Sequence, residues 1–125
     1  MPDRLDDLAP VEGEGGADQE LAEKEAGVRI AVTEVLFSML MYRGNIQEDA
    51  KIGRAEGKQD RDKILHLLGQ LTNAGRGLSA ARVRELKSQA IESFQIGAGA
   101  DDISRSNNTK ENFDFLKRMV LGEVA

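Results

Sequence analysis

Residues 28–42 read VRIAVTEVLFSMLMY, and the spacing of their side chains decides the class of the fold. At about 100° per residue, Val28, Val32, Val35, Leu36 and Met39 gather on one side of a helix. Ile30, Phe37 and Met41 gather on the opposite side, with Leu40 between them. A half-buried strand would need period-2 alternation, which the segment lacks. A helix that is apolar nearly all round is normally buried. The run is too short to span a bilayer, and Arg29, Glu34 and Arg43 are too many charges for that role.

Working upstream, residues 1–17 hold Pro2, Pro10, Gly13, Gly15 and Gly16 among acidic side chains. Such a stretch buries too little apolar surface to offset its chain entropy, so a disordered acidic tail is expected. It has no apolar core of the kind a secretory signal needs, which makes a cytoplasmic location, or export without a cleavable signal, the expectation. Residues 18–125 are expected to form a single α-helical domain. Asp18 is the expected N-cap of the first helix, which should run to Arg43 and stop near Gly44 and Asn45.

Downstream, residues 46–63 read as a polar helix weakened by Gly53 and Gly57. Ile64, Leu67, Leu68 and Leu71 then fall at helical spacing, and Asn73–Gly77 is a strong stop. Ser79 should cap a further helix with Val83, Leu86, Ala90, Ile91 and Phe94 on one face. After the Gly97–Asn108 connector, Asn108 and Glu111 resemble a capping box that opens a last helix. Phe113, Leu116 and Val120 share one face of it, and Phe115 and Met119 widen the apolar arc. The expected fold is all-α: a small helical bundle or helical hairpin of about four helices.

The chain has 125 residues, no cysteine, no tryptophan, one tyrosine and four phenylalanines. Its core must therefore be mainly aliphatic, and disulfides, thiolate metal sites and a cysteine nucleophile are excluded. Net charge is −5, spread unevenly: residues 1–50 carry 4 basic and 12 acidic side chains, residues 51–88 carry 9 and 4. The simplest expectation is attraction between these two segments within the chain. The other is a basic surface offered to a partner.

Little else points to chemistry. His66 is the single histidine and sits among leucines, so no metal site or catalytic triad is expected. The glycines of 13–16 and 75–77 lack the strand, loop, helix setting of a phosphate loop. No catalytic residue, metal or cofactor is expected, and the chain is read as a non-enzyme.

Residues 63–94, KILHLLGQLTNAGRGLSAARVRELKSQAIESF, run helix, glycine-containing turn, helix within the basic segment. The stretch resembles the helix-turn-helix of winged-helix bacterial regulators, which implies nucleic-acid contacts by Arg76, Arg82, Arg84 and Lys87. Helical spacing opposes that alternative. Glu85 and Glu92 fall opposite the apolar face, where a recognition helix would meet phosphates, and no β-wing follows Phe94.

The favoured expectation is protein interaction or assembly, with a second chain or a second copy covering one face of the 28–42 helix. Ile30, Phe37, Leu40 and Met41 would form that interface, with Phe115 and Met119 from the last helix. An oligomerising subunit, an adaptor or a chaperone, of a secretion or virion apparatus, would each use such a surface. Scarce aromatics, absent cysteine and a polar tail are shared in style with helical subunits of bacterial secretion filaments.

Overall fold

The computed structural model of the chain describes residues 12–38, 45–46, 55–97 and 100–123, with side chains from residue 18 in the first span and residue 61 in the third. Five helices stand among them: α1 (Glu12–Ser38), α2 (Ala55–Ala74), α3 (Ala80–Ile96), α4 (Ala100–Ser104) and α5 (Asn107–Val120). No strand occurs among the described residues, and the all-α expectation holds.

The boundaries shift from those read in the sequence. α1 begins at Glu12, six residues before the expected cap Asp18, so residues 12–17 of the expected tail are helical. Extending an existing helix is far easier than nucleating one, and Glu12, Glu14 and Asp18 lie at the end where a helix favours negative charge. Residues 1–11 and 39–44 lie outside the described residues, and with them the expected stop near Gly44. The polar helix expected over 46–63 is one continuous element with the apolar one after it, at least from Ala55 onward.

Caps follow ordinary chemistry. Ser79 caps α3 as expected, its hydroxyl accepting from the Arg82 amide at 3.1 Å. α5 starts two residues earlier than expected: Ser106, not Asn108, is the cap, accepting from the Thr109 amide at 3.1 Å. The connector before it is not structureless but holds the single turn of α4. Between α2 and α3 the chain reverses through Gly75 to Leu78, with Gly77 at φ +87°, a left-handed conformation that glycine adopts without strain.

The contacts define the arrangement. Glu25 meets Arg82 and Phe37 meets Phe94, two contacts that lie twelve residues apart along each helix, so α1 and α3 run parallel. α2 returns antiparallel to α1, with its last residue Ala74 beside Gly27. α5 is antiparallel to α3: Phe113 stacks on Phe94, while Arg84 reaches Leu121 and Glu123 at the other end. α1 packs chiefly on α2 and α3, and more lightly on α5.

The core joins four residues of the expected inner stripe of α1, Val28, Val32, Val35 and Leu36, to one face of each neighbour, while the fifth, Met39, lies outside the described residues. Ile64 and Leu71 come from α2, Leu86, Ala90, Ile91 and Phe94 from α3, and Phe113, Leu116 and Val120 from α5. Fully burying a side chain of this size contributes about 1.5–3 kcal/mol. Ile46 is also buried, and its amide donates to the Asn112 side-chain oxygen at 3.0 Å.

Candidate protein-interaction face

The two apolar sides of α1 have different fates. Its inner stripe disappears beneath α2, α3 and α5, whereas Ile30 is 60% exposed and Phe37 40% exposed. The described neighbours therefore do not cover α1 all round. Phe37 sets its edge against the Phe94 ring, centroids 5.1 Å apart and planes at 87°. Beside it, Arg29, Thr33, Ala90 and Ser93 border a shallow depression of about 210 Å³ between α1 and α3. Arg29 and Glu34 are exposed on the flanks of this face.

The other expected interface residues separate. Leu40 and Met41 lie outside the described residues. Phe115 and Met119 are half-buried and pack against the core from α5, so only their edges are offered outward. Leu65 and Ile96 are large, exposed apolar side chains that no pattern singled out. Leu65 interrupts the helical spacing of its neighbours, and Ile96 is the last residue of α3, where the one-face rule lapses.

The basic residues of the nucleic-acid alternative are largely engaged within the chain. The Arg82 guanidinium holds the Glu25 carboxylate with two nitrogens, at 2.8 and 2.9 Å, and Glu85 with a third. Arg84 donates to the Leu121 carbonyl at 3.2 Å and pairs with Glu123 at 3.0 Å. Lys87 is half-buried, and desolvation, helped by the nearby Arg84 charge, pulls its ammonium below the usual lysine range. Arg76 stands exposed in the turn. The α3 surface facing away from the core presents Ala81, Glu85, Ser88 and Glu92, all exposed.

No family model, curated protein or solved structure matches this chain. Its geometry alone carries the functional reading. His66 is exposed, its ring beside the Gln70 amide at 3.3 Å. Among the described residues no cluster of three His, Asp or Glu is placed to hold a metal, and no helix is long and apolar enough to cross a membrane.

The Glu25–Arg82 pair ties the acidic first segment to the basic second one and makes stability depend on pH. The hydrogen bond from Arg82 holds the Glu25 carboxyl below its ordinary value near 4.5. Its contribution is present above that value and disappears as the pH falls through the folded pKa, because the unfolded chain takes up the proton first. Urea midpoints measured from pH 7 down to pH 3 should therefore fall more steeply for the native chain than for Glu25→Gln. Parallel curves would show that the pair contributes nothing.

Proposed function

We propose that this chain is a non-enzymatic assembly protein that acts by burying the outer face of α1, centred on Ile30 and Phe37, against another protein chain. One observation carries the reading. α1 has two opposed apolar stripes, and its own neighbours, among the described residues, cover only the inner one. A large aliphatic side chain left 60% exposed beside an exposed phenylalanine is the kind of surface that marks an interaction site. Arg29 and Glu34 on its flanks supply charges of both signs to orient an approaching helix. An oligomerising subunit, an adaptor or a chaperone of a secretion or virion assembly are all forms this role takes. The nucleic-acid reading has weaker support, since Arg82 and Arg84 already hold carboxylates of the same chain.

Ile30→Asp and Phe37→Asp test the proposal. Burial of one such side chain is worth about 1.5–3 kcal/mol, so each substitution should weaken association about tenfold or more. Light scattering over a concentration series, with binding of a hydrophobic dye, gives the readout, and circular dichroism confirms that Ile30→Asp leaves the helices intact. A native chain that is a stable monomer and binds no dye overturns the proposal. So do Ile30→Asp and Phe37→Asp chains whose size and dye binding match the native protein.

A further inference from the structure

A cleft opens where the last turn of α2, the turn after it, the first turns of α3 and the cap of α5 come together. Its volume is about 530 Å³, inside the range of about 300–1,000 Å³ typical of small-molecule sites. Leu71, Leu78, Val83 and Leu121 supply its apolar lining, and Leu71 belongs to the core, so the lining is continuous with the interior. Many of the polar groups along it are already used. The amides of Gly75, Arg76 and Leu78 donate to the carbonyls of Leu71, Asn73 and Gly75, and the Thr72 hydroxyl donates to Leu68. An incoming molecule therefore meets chiefly apolar side chains and the cations set among them.

Those cations are Arg76, Arg84 and Lys87, and they are not equivalent. Arg76 also borders the neighbouring depression where Glu20 and Glu23 stand, so its charge is shared with carboxylates of α1. Arg84 pairs with Glu123 at 3.0 Å, and the two charges cancel. Lys87 differs from both. It is half-buried with the Arg84 charge nearby, and no carboxylate among the described residues pairs with it. A partly desolvated ammonium beside a like charge is an unfavourable arrangement that an anion relieves. In a chain of net charge −5, Lys87 thus leaves the cleft with a positive charge in surplus over an apolar lining.

We infer that this cleft binds a small amphiphile with one carboxylate and a short apolar tail, the carboxylate on Lys87 and the tail against Leu71, Val83 and Leu121. Charge and lining decide the class together. A cationic amphiphile would meet Lys87 and Arg84, and a neutral one would leave Lys87 without an anion. A phosphate monoester brings more negative charge than Lys87 alone balances, close to the Glu123 carboxylate. Nucleic acid, charged at every nucleotide, would also meet Glu20 and Glu23 in the adjoining depression. The site is separate from the outer face of α1, since no residue of α1 lines the cleft.

Octanoate is the probe that tests the site. Calorimetric titration should give one octanoate site per chain, with acetate, which lacks the tail, and octylammonium, which reverses the charge, each weaker by about tenfold or more. Octyl phosphate should also bind more weakly than octanoate. Lys87→Gln should weaken octanoate by about tenfold or more with the helix content unchanged by circular dichroism, and Lys87→Arg should restore most of the affinity. Backbone amide shifts on titration should centre on residues 71–87 and on Leu121, and Ile30→Asp should leave octanoate binding unchanged. Octanoate that binds no better than octylammonium, a Lys87→Gln chain that binds it as the native chain does, or shifts centred on Ile30 and Phe37 each overturns the inference. None of these outcomes bears on association through the outer face of α1, which rests on Ile30 and Phe37.

Discussion

Phe94→Ala should lower the stability of the protein by about 3–5 kcal/mol, the range for removing a buried aromatic ring. Phe94 is the point at which three helices meet on one side chain. Its ring takes the edge of Phe37 from α1 at 5.1 Å and stacks on Phe113 from α5 at 6.0 Å, with the planes 11° apart. Removing it leaves a cavity bordered by residues that cannot all collapse inward, because Phe37 is held by α1 and Phe113 by α5. Domains of this size have about 5–15 kcal/mol in total, so the loss is a large fraction of what exists. Urea unfolding followed by circular dichroism should show a lower midpoint with an unchanged slope. Phe94→Leu, which keeps most of the volume, should lose about 1.5 kcal/mol or less. A loss below about 1 kcal/mol for Phe94→Ala would mean that α1, α3 and α5 do not share this ring.

Asn112→Ala should follow, at about 1–3 kcal/mol, for a different reason: it strands a buried donor. The Asn112 side chain is 1% exposed, and its oxygen accepts from the amide of Ile46, itself 2% exposed. Without that acceptor the Ile46 amide is desolvated and unpaired, so Ile46 loses its fixed position against α5. A nearby control separates this from general damage to α5. Glu111 accepts from the Asn45 side chain at 2.8 Å in an exposed setting, where water replaces a lost partner, and Glu111→Ala should change stability by less than about 0.5 kcal/mol. Equal effects at the two positions would show that burial is not what makes the Asn112 contact matter.

The class of the fold and the division of α1 into two sides were legible in the sequence because both rest on a local period. Val28, Val32, Val35 and Leu36 recur on one side, and all four are buried; Ile30 and Phe37 fall on the other, and both are exposed. Where one residue competes with a neighbour for the same role, local reading fails. Ser106 and Asn108 are both good caps two positions apart, and only the assembled first turn of α5 selects the serine. α4 spans five residues, too few for any period to register. The Glu25–Arg82 pair joins positions 57 apart. The charge asymmetry between the segments announced an attraction of this kind, but only the parallel pairing of α1 with α3 identifies its members.

The parallel pairing of α1 and α3 also determines the order in which the protein can come together. α2 and α3 are joined by a tight turn, and their mutual approach closes only a few residues of chain. Every contact between α1 and α3 instead closes a loop of more than fifty residues, and the entropy of that closure must be met before any of the core is gained. α1 lends its inner stripe to all the other long helices, so none of them has a finished core until it arrives. Seating α1, whose outer face is proposed to meet another chain, is therefore the step expected to limit the rate of folding, and a stopped-flow refolding rate slowed by a substitution at Val32 would check it.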